Sequence, residues 1–215
     1  MTTFVTIGDK KFFKTIHINI QQIRHIYPHA GIIIGDIGFT NTQVNILNNI
    51  PYTHTVKIPT PKLTKEGLLF LLKPLFLLEC SEPCVYMDGD TILLQPINEL
   101  LNKNVDIVVT TRKHERPHSN INAGIFVLNN PEILYKWILK IVEEVKNNQS
   151  SWNEQDALNK LVENNEVTSH SVPCKIYNYT EVEKGIPRKV KILHLKSGRM
   201  NKEGVWETIT PLLYE

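Results

Sequence analysis

Apolar positions recur along this chain with two periods, and the switching between them predicts the fold. Phe4–Ile7 is a short apolar run and reads as a first strand. Phe12, Ile16, Ile20, Ile23 and Tyr27 then follow at helical spacing, which predicts a helix over Lys10–Tyr27 that Pro28 ends. Gly31–Ile34 is a β-branched run bounded by glycine, Thr53–Ile58 alternates, and both read as strands. Leu63–Cys80 has the length of a buried helix, with a kink expected at Pro74. Pro83–Met87, Val105–Val109, Gly124–Leu128 and Val190–Leu195 are further strand candidates. Asn130-Pro131-Glu132 combines a cap, a proline at the first position and a first-turn acid. It opens a helix whose apolar face is Leu134, Trp137, Ile138, Ile141, Val142 and Val145. Glu154–Val162 is a second late helix, and the Asn147-Asn148 and Asn164-Asn165 pairs read as loops after these two helices. Strands alternating with helices predict an α/β sandwich around a largely parallel sheet.

Composition narrows this picture. A chain of 215 residues, 41% hydrophobic and 21% charged, can build one sizeable core, so a single domain over 1–215 is expected. A net charge of +2 gives no support for bulk binding to nucleic acid. Cys80, Cys84 and Cys174 form neither a disulfide framework nor paired zinc spacing. The stretch Met1–Lys14 has no long apolar region of the kind a signal peptide needs. Lys73-Pro74 interrupts the most apolar stretch, Gly67–Leu78, which is too short to span a bilayer. A cytoplasmic protein is the expectation, in a host cytoplasm if the source is viral.

The chemistry concentrates where Val85-Tyr86-Met87 ends in Asp88-Gly89-Asp90. In open α/β sheets ligands bind beyond the C-terminal strand ends, and this strand delivers two carboxylates there. Such oxygens suit Mg²⁺ or Mn²⁺, although short acidic pairs are more often solvated turns. Two other metal patterns fail. His114-Glu115-Arg116-Pro117-His118 has zinc-protease spacing, but the motif requires a helix, and Pro117 would cost such a helix about 3 kcal/mol. It reads instead as a polar loop, a candidate flap over a site. Asp88, Asp90 and Glu99 have calcium-loop spacing, but Leu93 stands where glycine is required and Ile92 where an oxygen ligand is required.

Four ordered stretches carry a resemblance. Tyr86-Met87-Asp88-Gly89-Asp90-Thr91 resembles the Asp-x-Asp region of GT-A glycosyltransferases. Asn122-Ala123-Gly124-Ile125-Phe126-Val127-Leu128-Asn129 is similar to the Asn-small-Gly strand of the glycogenin and galactosyltransferase-like group. Glu154-Gln155-Asp156-Ala157-Leu158-Asn159 is similar to that group's Asp-Gln-Asp-x-Leu-Asn, with Glu where the group has Asp. Ile192-Leu193-His194-Leu195 is similar to its late strand with a metal-ligand histidine.

The resemblance implies a GT-A (Rossmann-like) fold and transfer of a hexose from a nucleotide-diphosphate sugar. The donor is expected to be a UDP-sugar, the acceptor a hydroxyl of a glycan or glycoprotein, and the anomeric configuration retained. It implies Asp88, Asp90 and His194 as ligands of Mn²⁺ or Mg²⁺; otherwise His194 is a hydrogen-bonded core histidine. Asp156 is expected on sugar hydroxyls, Glu154 or Gln155 near the reacting face, and Asn122 on donor sugar or acceptor, or else as a polar cap at a strand start. Thr6-Ile7-Gly8-Asp9 has the position of the group's uridine-binding loop, so Thr6 and Gly8 are donor candidates, as are Asp88, Lys73, Lys196 and Gly198. For Lys73, snorkelling to solvent is the alternative; for Lys196-Ser197-Gly198, a surface turn. Asp36-Ile37-Gly38 reads as a strand-ending turn, with a donor role as the alternative. Two other functions compete: a sugar nucleotidyltransferase, for which Thr6–Lys14 holds too few glycines, and a sugar-nucleotide-binding protein without turnover.

Overall fold

The computed structural model describes residues 2–59, 71–80, 83–101, 103–112, 120–147, 154–196 and 204–213. β1 (Thr3–Gly8), α1 (Phe13–Ile26), β2 (Gly31–Asp36), α2 (Asn41–Asn48) and β3 (Thr53–Lys57) come first. α3 (Leu72–Cys80), β4 (Cys84–Met87), β5 (Thr91–Leu93) and α4 (Asn98–Leu101) follow. β6 (Ile107–Thr111), β7 (Ile121–Leu128), α5 (Ile133–Lys146), α6 (Glu154–Glu163), β8 (Ser169–Pro173) and α7 (Cys174–Tyr177) make up the second half, with β9 (Ile192–His194) and α8 (Val205–Ile209) near the end.

A seven-stranded sheet has the order β3-β2-β1-β4-β7-β6-β8. β7 pairs antiparallel with both β4 and β6, and all other pairs are parallel, so six strands point one way and β7 alone is reversed. The sheet is thus largely parallel, as the alternation of elements predicts. Period-two alternation splits the strands between two cores. Phe4, Ile32, Ile34, Val85 and Met87 pack with Ile16, Ile20 and Ile23 of α1. Val5, Tyr86, Phe126 and Val109 face Phe76, Trp137, Ile141 and Leu158 of α3, α5 and α6. Burial on both faces is why these strands read as continuous apolar runs. A separate two-stranded ribbon, β5 against β9, caps a third cluster with Val182, Val190 and Val205.

Several expected boundaries shift. α1 begins at Phe13 rather than Lys10, because the Asp9 carboxylate accepts from the Lys11 N–H at 2.8 Å and holds a turn there. α3 begins at Leu72, so Pro74 lies in its first turn, where a missing N–H costs nothing; residues 60–70 lie outside the described ones. β7 begins at Ile121, earlier than its glycine suggests. The turn at Asp36 is as expected: its carboxylate accepts from the backbone N–H of Gly38 and Phe39, both at 2.7 Å.

Candidate metal and donor site

The turn after β4 is built by its own residues. Thr91 donates to the Asp88 carbonyl through its backbone N–H at 3.1 Å and its hydroxyl at 2.7 Å, which folds Asp88-Gly89-Asp90 back on itself. Gly89 permits this, since a Cβ there would lie 2.8 Å from the Ile7 carbonyl of β1. The chain then continues as β5, which pairs with β9 so that Thr91 lies opposite His194. The Leu195 N–H donates to the Asp90 carbonyl at 2.8 Å. This ribbon brings His194 Nε2 to 3.2 Å from Asp90 Oδ1. Asp88, Asp90 and His194 offer ligand atoms that all lie within 4.8 Å of one another.

The opposite wall is a bulge. Pairing of β6 with β7 jumps from Val109–Phe126 to Thr110–Asn122, leaving Ala123, Gly124 and Ile125 without partners in β6. Backbone groups released this way need other partners, and site residues supply them. The Gly124 N–H donates to Asn122 Oδ1 at 2.9 Å, while its carbonyl continues the ladder toward β4 by accepting from Asp88 N–H at 2.7 Å. The Ala123 carbonyl accepts from Lys73 Nζ at 3.0 Å, and its N–H donates to Gln155 Oε1 at 3.3 Å. Thr110 Oγ1 closes the bulge on the Asn122 carbonyl at 3.1 Å. Asn159 Oδ1 accepts from the Ile121 N–H at 3.3 Å. Gln155 and Asn159, four apart on α6, therefore bond Ala123 and Ile121, two apart on β7. The match is geometric: four helical residues rise about 6 Å and two strand residues about 6.6 Å.

Lys73 lies at the centre of this charge. Its ammonium is 3.2 Å from Asp88 Oδ1 and 3.0 Å from Glu154 Oε1, and lies over the Tyr86 ring. Burial opposes its charge, but the two carboxylates outweigh that and hold its pKa above the ordinary lysine value. It therefore contacts the acidic pair rather than snorkelling to solvent. The Tyr86 hydroxyl donates to Asp88 Oδ1 at 3.0 Å. Burial first, then the charge of Asp88, pushes the Tyr86 phenol far up, so it stays a donor. Below it, Tyr86 stacks on Phe126 with ring centroids 5.0 Å apart, and Phe126 meets Trp137 edge-on. Trp137 in turn donates to the Glu154 carbonyl at 2.6 Å, anchoring the start of α6.

Three carboxylates (Asp88, Asp90, Glu154) against one ammonium leave a formal charge of −2 around a histidine. Two carboxylates and an imidazole fit a divalent cation of the Mn²⁺ or Mg²⁺ kind, with the nitrogen favouring the softer of the two. The space for it is kept by Gly124, where a Cβ would come within 2.6 Å of Asp88 Oδ2 and 2.8 Å of His194 Cε1.

The remaining candidates differ in placement. Asn122 is buried, and its carbonyl oxygen is committed to Gly124 and to Asn178 Nδ2, the latter at 2.6 Å, which leaves only its amide nitrogen for a substrate. Glu154, Gln155 and Asp156 are half-buried at the start of α6. Thr6 is buried within β1 with its hydroxyl unpartnered, and Gly8 packs against Ile16 and Phe12, where a Cβ would meet Ile16 Cδ1 at 2.4 Å. Gly8 is thus required by the packing of α1. Lys196 is exposed, with φ at +46°. Gly198 and the His114–His118 loop lie outside the described residues. Glu99 is taken by Tyr177 and Lys191, away from any calcium loop. Sequence reasoning missed Tyr86, Thr110 and Asn178. For Asn178 one signal was present: a polar residue between Tyr177 and Tyr179, with no Gly or Pro to mark a turn.

An Asp-x-Asp turn at a switch point of a largely parallel sheet, with a histidine folded onto it, defines the GT-A class of sugar-nucleotide enzymes. The model of the family described as nucleotide-diphospho-sugar transferase matches residues 75–207, more than half of the chain, and the chain belongs to that family. It is an enzyme of the glycosyltransferase class. Solved structures share its fold. The glycosyltransferase GlyE of Streptococcus pneumoniae TIGR4 superposes with TM-score 0.64 at 15% identity, over 90% of this chain and 54% of that one. The present chain thus spans about half the length of GlyE. The galactosyltransferase LgtC, solved with donor and acceptor sugar analogues, gives TM-score 0.65 at 12% identity over 99% of this chain and 95% of that one. A glycosyltransferase involved in glycosylation of the major capsid of PBCV-1 gives 0.64 at 12% identity, over 93% and 96%. No curated protein matches the sequence. Among the described residues, no helix is long and apolar enough to cross a membrane.

Proposed function

We propose that this enzyme is a metal-dependent hexosyltransferase that uses a UDP-sugar and transfers the sugar, with retention, to a hydroxyl of a glycan or glycoprotein. The observation that carries the reading is the convergence of Asp88, Asp90 and His194 within 4.8 Å, in a chain of the nucleotide-diphospho-sugar transferase family. LgtC, solved with donor and acceptor sugar analogues, and the PBCV-1 capsid enzyme support the donor and acceptor classes. A divalent ion held by these three side chains would act as a Lewis acid on the departing diphosphate and orient it. The protein's own part is positional. Lys73 and Tyr86 hold Asp88 Oδ1, which leaves Oδ2 for the ion. Lys73 and the Ala123 N–H hold Glu154 and Gln155 at the rim of the site, where sugar hydroxyls would bind with Asp156. Lys196 lies two residues beyond His194, within the chain segment expected to face the diphosphate.

The test is calorimetric binding of UDP and a panel of UDP-sugars, each with Mn²⁺ and with EDTA, in the wild type and in Asp90→Ala. Binding that needs Mn²⁺ and vanishes in a folded Asp90→Ala is expected. Equal binding in EDTA, or full activity in the mutant, would remove the metal from the mechanism. The anomeric configuration of the product, read by NMR, decides retention.

A further inference from the structure

Asn178 follows α7 and is buried, and no part of the nucleotide-sugar reading uses it. Its amide touches three members of the site. Oδ1 is 2.8 Å from His194 Nδ1, and Nδ2 reaches Thr110 Oγ1 at 3.1 Å and Asn122 Oδ1 at 2.6 Å. Which atom donates in each contact follows from the backbone. The Gly124 N–H can only donate, so the Asn122 atom facing it is the oxygen. That oxygen therefore accepts from Asn178, whose facing atom is the NH₂. The Thr110 hydroxyl spends its proton on the Asn122 carbonyl, so it also accepts from Asn178. Both amide hydrogens of Asn178 are then committed, and the group facing His194 is a carbonyl oxygen that can only accept. Nδ1 therefore carries a proton toward Asn178, while Nε2 faces the Asp90 carboxylate at 3.2 Å; a cation held between them needs the neutral ring with its lone pair on Nε2.

We propose that Asn178 is a positioning residue, which transmits the donor pattern of the β7 bulge to His194, fixes its tautomer and aims Nε2 at the metal position. The proposal rests on the metal reading for its purpose, but its geometry stands without an ion. Asn178 is held independently of His194's side chain: its N–H bonds the Cys174 carbonyl at 2.9 Å, and the next residue, Tyr179, bridges to β9 through its N–H to Ile192 and its carbonyl to His194 N–H. A partner that orients a metal-ligating histidine in this way is commonly worth 10–100-fold in metal affinity, an order-of-magnitude expectation.

The test uses the full-length metal-free protein and two variants, Asn178→Leu and Asn178→Asp. Long-range ¹H–¹⁵N correlation spectra locate the proton on the neutral His194 ring, and calorimetry with Mn²⁺ alone gives the affinity. In the wild type the proton is expected on Nδ1. In Asn178→Leu, which offers no acceptor, it should redistribute to Nε2, and Mn²⁺ affinity should fall about 10–100-fold with the fold intact by circular dichroism. Asn178→Asp keeps an acceptor and should keep the proton on Nδ1. Unchanged tautomer and affinity in Asn178→Leu would overturn the proposal. If that variant does not fold, loss of the Nδ1 proton in Asn178→Asp would overturn it equally. A wild type that binds no Mn²⁺ would defeat the metal reading instead, and the ring-proton measurement would still decide the tautomer.

Discussion

Gly124→Ala adds a single methyl group at the centre of the site. The backbone at Gly124 lies outside the left-handed region, so alanine can adopt its conformation without strain. On backbone entropy alone the change should stabilise the protein by about 0.4–1 kcal/mol. The space opposes it. The new Cβ would sit 2.6 Å from Asp88 Oδ2, 2.8 Å from His194 Cε1 and 2.9 Å from Asn122 Oδ1. None of the three is a free end. Lys73 and Tyr86 hold Asp88, and Asn178 holds both His194 and Asn122. Overpacking of this kind costs about 1–3 kcal/mol, and three fixed neighbours put this case near the upper limit. The net loss is then about 2–2.6 kcal/mol, or roughly 4–10 °C in Tm for a domain of this size. A second readout isolates the site. Mn²⁺ at 100 times its dissociation constant should stabilise the wild type by about 2.7 kcal/mol, and Gly124→Ala should lose most of that gain, because the methyl group stands among the ligand atoms. Thermal melts with Mn²⁺ and with EDTA measure both. A mutant that melts with the wild type would refute the packing argument. One that melts lower but keeps the full Mn²⁺ shift would refute the placement of the ion beside Gly124.

Two further outcomes follow from the charges. Lys73→Met keeps the apolar stem but leaves Asp88, Glu154 and the Ala123 carbonyl without their cation. It should cost about 3 kcal/mol in EDTA, and less with Mn²⁺, which replaces part of the lost charge; equal losses in urea denaturation with and without the ion would contradict this. Asp106 accepts from the Asn130 side chain first, then from the Thr168 N–H and hydroxyl, and these bonds hold its pKa below the ordinary carboxylate value. A depressed pKa stabilises the fold above the unfolded value of about 4, and that contribution is lost as pH falls through the folded value. Asp106→Asn should therefore be less stable near neutrality, by about 1 kcal/mol after solvent screening, with a shallower acid limb; an unchanged acid limb in stability against pH would count against it.

Much of the fold was legible because burial on both sheet faces leaves a strong signal. β1, β2, β4, β6 and β7 are runs of largely apolar residues, and α1 and α5 carry apolar residues at helical spacing. Two of the elements that escaped notice bury little. α2 has one buried residue, Leu47, and is held by a capping box between Thr40 and Gln43. β8 buries only Val172. Neither offers a period for pattern reading to detect. The three candidate ligand residues were legible as a group, since Asp88-Gly89-Asp90 stands at a strand end and His194 in a late strand, each within a motif.

The sequence by itself determined which residue types could meet: acids beyond an apolar strand, a histidine in a short late strand, a small residue before an apolar run. These are local properties, set by strand period, strand termination and side-chain chemistry. Only the tertiary structure decided that β7 runs against its neighbours and slips by a bulge at Thr110, and that the slip frees backbone groups for Lys73, Gln155 and Asn122. It also decided that Asn178 stands between that bulge and His194. The reason is physical. A strand pattern specifies which face is buried, but the register of a bulge and the partners of its unpaired N–H and C=O groups depend on residues distant in the chain.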